Sequence, residues 1–310
     1  MAAKLPDIMA DKKQFQVIHN GLLVRAPAKI NLTLLIAGKR ADGFHELETL
    51  MAKVDCFDEI LIQPSQKSGI EVVSEGPYWA PQGKENLIYQ ACKLLLDTCN
   101  CKADLKITLT KNIPAGSGLG SASSDAAATL VGVNKFLNLK VRHEKLAEMA
   151  SELGSDVTFF LGGPLAFCMG KGEKIKKIEK KFNFFALLIL PDISVSTKMV
   201  YNDYNHNNDR YNELKTKINE YLSKNRIDLT AEMCANMLQA TCFDLHEELA
   251  ELKVKIESLD FGPVCLSGSG SAMFCIVGYN NIDIGKVRGF QYELREKVGC
   301  KSILVSNNRW

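Results

Sequence analysis

At 310 residues the chain is long enough for one large domain or two of ordinary size. Its 46% hydrophobic and 24% charged residues are the balance of a globular protein, which excludes a disordered, fibrous or repeat-built chain. A net charge of +2, from 38 basic and 36 acidic side chains, leaves no clustered surplus for neutralising nucleic-acid phosphates.

Ten cysteines without a C-x-x-C pair, most in apolar surroundings, read as reduced buried thiols, not as a disulfide framework or a zinc site. The first 24 residues contain no secretory core, and the leading ones read as a loose polar tail before the fold begins. No segment reaches the roughly 18 apolar residues of a membrane span, so a cytoplasmic protein is expected. Leu22–Arg25 and Ile30–Ile36 are apolar, β-rich runs divided by Ala26-Pro27-Ala28-Lys29, which predicts two strands or one bent strand. Gly38–His45 is turn-rich, and Leu47–Val54, Glu59–Ile62 and Ile70–Ser74 continue the strand pattern.

Leu87, Ala91, Leu94 and Leu95 share one helical face and predict an amphipathic helix over Asn86–Cys99. Leu105–Thr110 alternates as a strand. It leads through the loop Lys111–Gly120 into a small-residue helix over Ser121–Asn134, for which Ser123 or Ser124 offers a cap and Asp125 a first-turn acid. Helices follow at Glu144–Leu153 and from near Asp156. The basic run Lys171–Lys181 reads as the solvated face of a strand or hairpin.

Phe184–Leu190 is a strongly apolar strand and Tyr201–Arg210 an Asn-rich loop. Helical periods return at Tyr211–Leu222, Leu229–Cys242 and Glu247–Ser258. Val264–Leu266 and Ala272–Val277 are strands around a second small-residue loop, Ser267–Ser271. A helix near Ile284–Val298 and a strand at Ser302–Val305 complete the pattern. Strands and helices mix without regular alternation, so α+β is predicted over a doubly wound sheet, with a domain boundary near residue 182.

The most informative stretch runs from Pro114 to Ser124. Gly116, Gly118 and Gly120 alternate, which frees the backbone to approach a ligand and to turn successive N–H groups inward. The following helix adds the positive end of its dipole, so the loop suits a polyphosphate. Its serine hydroxyls can add donors or help to hold Mg²⁺. It is not a Walker A loop, since no lysine follows the glycines, and Ser121 stands where a dinucleotide fingerprint needs glycine.

Three segments together resemble the GHMP kinases (galactose, homoserine, mevalonate and phosphomevalonate kinases). Ala26–Leu32 is similar to the family's first motif, the glycine loop to its second and Leu266–Ser271 to its third, in the family's order. Pro27–Leu32 with Gly38–His45, Lys84–Leu87 and Leu153–Val157 resemble the branch that acts on a cytidine diphosphate-linked methylerythritol. The resemblance implies a two-domain α+β architecture, residues 1–182 and 183–310, with ATP, Mg²⁺ and a small-molecule substrate in the cleft between them. It implies phosphorylation of a tertiary 2-hydroxyl by a monomer or weak homodimer, with no nucleic-acid or membrane partner.

By resemblance Lys29 and Asp156 form the catalytic pair. A carboxylate can orient the attacking hydroxyl and accept its proton, while a neighbouring ammonium offsets charge developing on phosphate. Pro114, Ala115, Gly116, Ser117, Gly118, Leu119, Gly120, Ser121, Ser123 and Ser124 correspond to the ATP-binding loop. Asn86 corresponds to a position near the adenine, and also reads as a helix cap. Asn31, Phe44, His45, Asp156, Tyr201, Gly268 and Ser269 correspond to substrate-binding positions, His45 and the two aromatics at the cytosine. No resident metal site is implied. Phe44 replaces a more frequent Tyr, the loop's Ser-Ala leans toward the mevalonate type, and Ser269 and Ser271 stand where Thr and Ala are common. A kinase of another small alcohol, such as mevalonate, and a non-catalytic ligand-binding regulator are the alternatives.

Overall fold

The computed structural model describes residues 13–178, 182–279, 281–308 and 310. Its first sheet forms around two long antiparallel strands, β2 (Gly21–Lys39) and β3 (His45–Pro64). The run interrupted by Pro27 is one bent strand. The register shifts between Pro27 and Ala28, and this bulge accommodates a residue with no N–H to donate. β1 (Phe15–Ile18) pairs with the start of β2, so an edge strand stands inside the stretch that reads from sequence as a tail. Its four residues are too exposed, with Val17 at 81%, to leave a hydrophobic pattern. Residues 1–12 of that tail lie outside the described residues.

β5 (Leu105–Thr110) pairs with the C-terminal half of β3 and β6 (Leu165–Gly170) with its N-terminal half. β4 (Ile70–Glu75) joins β5 in parallel, and β7 (Lys174–Lys177) forms the expected solvated hairpin with β6. Residues 179–181 of that basic run are outside the described residues.

Helices α1 (Leu87–Thr98), α2 (Ser121–Phe136), α3 (His143–Leu153) and α4 (Val157–Leu161) accompany this sheet. The small residues of α2 let it lie close to the strands: a Cβ on Gly132 would come within 2.7 Å of a Val24 methyl. Asn86 caps α1, its Oδ1 accepting the Ile88 N–H at 2.9 Å. The expected cap of α2 by Ser123 or Ser124 is not observed. Left-handed Gly120 starts the helix at Ser121, which places both serines inside the first turn and Asp125 beyond it.

The second sheet is antiparallel, in the order β11 (Lys301–Ser306), β8 (Phe184–Leu190), β10 (Met273–Tyr279) and β9 (Cys265–Leu266). All seven residues of β8 are buried, which is why its sequence is uninterrupted and apolar. Around it lie α5 (Thr197–Asp203), α6 (Asn208–Ser223), α7 (Ile227–Glu232), α8 (Gln239–Leu245), α9 (Glu247–Glu257) and α10 (Ile284–Glu293), the last extended by a π-helical turn, Leu294–Val298.

Two expectations change here. Tyr201–Arg210 is not one loop. Ser196 caps α5, which includes Tyr201, and Asn207 caps α6, its Oδ1 accepting the Arg210 N–H at 2.8 Å. Local side-chain caps outweigh the polar composition. Leu229–Cys242 splits into α7 and α8, because Ala235 and Met237 leave the helix to bond Leu34 on the free edge of β2, at 2.7 and 2.9 Å.

Two apolar clusters among the described residues join the sheets: Ile30, Leu32 and Leu50 pack with Phe184, Ala186 and Leu188, and Leu34 and Ile36 with Leu187 and Ile189. Among the described residues no helix is long and apolar enough to cross a membrane.

Candidate active site

β2, β3, the glycine loop, the start of α4, α5 and the loop after β9 converge on a cleft of about 900 Å³. Its walls include Lys29, Asn31, Phe44, His45, Asp156, Tyr201, Gly268 and Ser269, residues scattered over 240 positions of sequence. Pro114, Gly116, Ser117, Gly118, Gly120, Ser121 and Ser123 also face it. Four expected residues are not on the cleft lining. Leu119 and Ser124 are buried, Ala115 is exposed outside it, and Asn86 is committed to its cap and to hydrogen bonds from Nδ2 to Pro81 O and Ser74 Oγ.

The three loop glycines all have left-handed backbone, with φ of 67° at Gly116, 79° at Gly118 and 69° at Gly120. Their surroundings differ. A Cβ on Gly116 would meet nothing nearer than 4.0 Å, so this turn is open to a ligand. A Cβ on Gly118 would stand 2.0 Å from Ser267 O, and one on Gly120 would collide with Lys29 Cγ and the Phe160 ring. Gly118 therefore serves the contact between two loops. The Ser267 hydroxyl donates to Gly118 O at 3.1 Å, and Ala272 N donates to Ser117 O at 3.0 Å.

Lys29 is held from both ends. Its N–H donates to Leu119 O, and its Nζ donates to Asn31 Oδ1 at 2.5 Å. Asn31 Nδ2 donates to Thr49 Oγ1, which donates to Thr33 O, so the relay fixes which face of the amide meets the lysine. Asp156 Oδ2 lies 3.8 Å from Nζ. Burial lowers the pKa of Lys29 against the opposing pull of Asp156.

Beneath the glycine loop lies a buried charge cluster that sequence reading missed. Lys111 Nζ meets Asp58 Oδ2 at 2.8 Å, Asp125 Oδ2 at 2.5 Å and Ser121 Oγ. Asp58 Oδ1 accepts the N–H groups of Asn112 and Ile113, at 2.6 and 2.8 Å, and so fixes the entry to the loop. A lone lysine after a strand reads as solvated, and only the fold shows its two carboxylates, 53 residues before it and 14 after it.

One ammonium cannot neutralise two carboxylates. Burial first, and then Asp58, pushes Asp125 up to about 8, despite Lys111. In the native state Asp125 therefore keeps a proton that the unfolded chain releases near the ordinary aspartate value of 3.8. Its contribution to stability falls as pH rises between those values. Asp125→Asn is expected to gain thermal stability over the parent between pH 5 and pH 8 and to hold that gain above it, as read by melting temperatures across the range.

The opposite end of the cleft is aromatic. The His45 ring lies 5.6 Å from Tyr201 and 5.6 Å from Tyr204, edge-on to the latter. Burial, then Lys39 and His206, lowers the pKa of His45, which favours a neutral imidazole there. Lys171 stands over the exposed Phe44 ring at 4.6 Å. Thr197 Oγ1 and Ser269 Oγ, 2.8 Å apart, tie α5 to the loop after β9. Lys39, Lys171, Thr197 and Lys198 also line the cleft, and nothing in their local sequence singles them out.

Residues 86–164 match the family model for the GHMP kinases N terminal domain. The 4-diphosphocytidyl-2-C-methyl-D-erythritol kinase of Bacillus cereus strain B4264 is 37% identical over 260 residues, covering 84% of this chain and 89% of that protein. The fold therefore belongs with its sequence: this chain is a member of the GHMP kinase family. The enzymes of the same name from Bacillus cytotoxicus and Bacillus anthracis are equally similar in identity and coverage. A crystal structure of 4-(cytidine 5'-diphospho)-2C-methyl-D-erythritol kinase, 30% identical, superposes with a TM-score of 0.73 over 93% of this chain and all of that one. Homoserine kinase from Cytophaga hutchinsonii, at 19% identity and a TM-score of 0.72, shares the fold over 96% of this chain and 98% of its own.

Proposed function

We propose that this chain transfers the γ-phosphoryl group of ATP to the 2-hydroxyl of 4-diphosphocytidyl-2-C-methyl-D-erythritol, in the non-mevalonate route to isoprenoid precursors. The observation that carries the reading is the Lys29–Asp156 pair, 3.8 Å apart, between a glycine loop and an aromatic pocket in one cleft. The loop takes the polyphosphate of ATP through its N–H groups, with the start of α2 behind it. Phe44, His45 and Tyr201 take the cytosine end.

The reacting hydroxyl then lies against Asp156. Its oxygen attacks the γ-phosphorus, the bond to the β-bridging oxygen breaks, ADP leaves, and the hydroxyl proton passes to the Asp156 carboxylate. Lys29 offsets the charge on the transferring group, which is where catalysis of phosphoryl transfer is concentrated. Among the described residues no three His, Cys, Asp or Glu side chains converge on a metal site, so Mg²⁺ is taken to enter with ATP as part of the substrate. The boundary between the lobes falls between β7 and β8, near residue 182. The protein acts in the cytoplasm as a monomer or weak homodimer.

ATP consumption with Mg²⁺, offered the cytidyl substrate, mevalonate and homoserine in parallel, tests the assignment. Turnover is expected with the first alone. Turnover with mevalonate and not with the cytidyl compound would overturn the substrate and keep the kinase.

A further inference from the structure

We propose that Lys53 is a positioning residue for Asp156, gripping the far end of the short helix whose near end carries that carboxylate. Lys53 stands directly opposite Lys29 in the β2–β3 register. Opposed residues of an antiparallel pair project from the same face of the sheet. The two lysines thus address one element, α4, from below. Lys29 reaches Asp156, the residue immediately before its N-terminal end. Lys53 reaches the other end, where Nζ donates to Phe160 O at 2.9 Å and to Gly162 O at 2.8 Å.

These are carbonyls that a helix C-terminus leaves without partners. Only five residues separate the two grips, a strut of about 7.5 Å. The same strut bears on the phosphate loop. A Cβ on Gly120 would lie 3.0 Å from the Phe160 ring and 2.9 Å from Lys29 Cγ, so Phe160, Lys29 and the loop are in close register.

Lys53 is 1% exposed, and its carbonyl and amide are also engaged, by Asn308 N and Pro164 O. The titratable groups on the surrounding elements are Lys29 on β2, Asp55 on β3, Asp156 at α4 and Cys168 on β6. Burial lowers Lys53 to about 7. Removing an ammonium from water is costly, and two hydrogen bonds to neutral carbonyls return little of that cost. What the arrangement returns is the placement of α4, and with it the distance from Asp156 to the reacting hydroxyl.

The inference rests on Asp156 as the group that receives the substrate's proton. The test uses the full chain with Lys53→Met and Lys53→Gln, measuring kcat and both KM values from pH 6 to 9. Lys53→Met is expected to lose about 10- to 100-fold in kcat, the scale of a misplacement near 1 Å, with both KM values within about twofold. Lys53→Gln, which keeps a donor, falls between. The ratio of parent to Met kcat shrinks as pH rises through about 7, where the parent ammonium loses its charge.

An unchanged kcat, a loss spread equally over kcat and both KM values, or a ratio constant with pH overturns the proposal. If the Met protein does not fold, the Gln variant carries the same readouts. Asp156→Asn in the same assay separates the two levels. Full activity there removes the premise, whereas inactivity there with full activity in Lys53→Met rejects Lys53 alone.

Discussion

Asp156→Asn is expected to lower kcat by about 1000-fold while leaving ATP affinity unchanged, the scale lost when a positioned general base is removed. The carboxylate faces Lys29 at 3.8 Å, at the end of α4. Its proposed work is at the hydroxyl, and the glycine loop proposed for the nucleotide does not depend on it. Asparagine keeps the shape and one acceptor oxygen but cannot take the proton. Steady-state turnover with calorimetric titration of ATP measures both quantities. Rates near those of the parent enzyme would remove Asp156 from the mechanism.

Gly118→Val attacks the fold of the site itself. From the sequence, a side chain in this loop is expected to strike the phosphates. In the structure it strikes protein, since a Cβ would stand 2.0 Å from Ser267 O, and the φ of 79° is one that a β-branched residue resists. The two loops must part, losing the Ser267–Gly118 and Ala272–Ser117 hydrogen bonds. A cost above about 4 kcal/mol and a melting temperature lower by on the order of 10 °C are expected, together with loss of ATP binding. Gly116→Ala is the control. It has open space around it and a φ of 67°, so it keeps most of the stability and separates backbone strain from collision. Equal melting temperatures for the two variants would refute the loop-to-loop account.

The sequence is most legible where chemistry is local. Leu105–Thr110 and Phe184–Leu190 have the observed bounds, because alternation and an unbroken apolar run are direct imprints of half-buried and fully buried strands. Asn86 announces its cap, and the glycine spacing announces a loop of left-handed turns. Legibility ends where a residue's role depends on a distant partner. Lys53 and Lys111 look like any lysine until Phe160 and Gly162, or Asp58 and Asp125, are placed beside them. The helix break at Cys234–Leu238 is likewise dictated by an edge of β2 some 200 positions away. For Tyr201 only the resemblance points to the cytosine, since its own stretch is polar; α5 carries it beside His45, and burial with Asp156 nearby raises the pKa of its hydroxyl.

The apolar clusters that join the two sheets decide how the enzyme can move. Ile30, Leu32 and Leu50 are interleaved with Phe184, Ala186 and Leu188, and β2 is also bonded to the Ala235–Met237 segment between α7 and α8. A wedge-like opening between the two sheets would bring these contacts into water, which opposes it by the free energy of burying those side chains. Entry and exit must be worked by the rim, where Arg40–Phe44 and the Ser196–Met199 turn are mostly exposed. Small-angle scattering is therefore expected to give the same radius of gyration for the empty and the substrate-loaded enzyme, and a clear contraction on loading would refute that expectation.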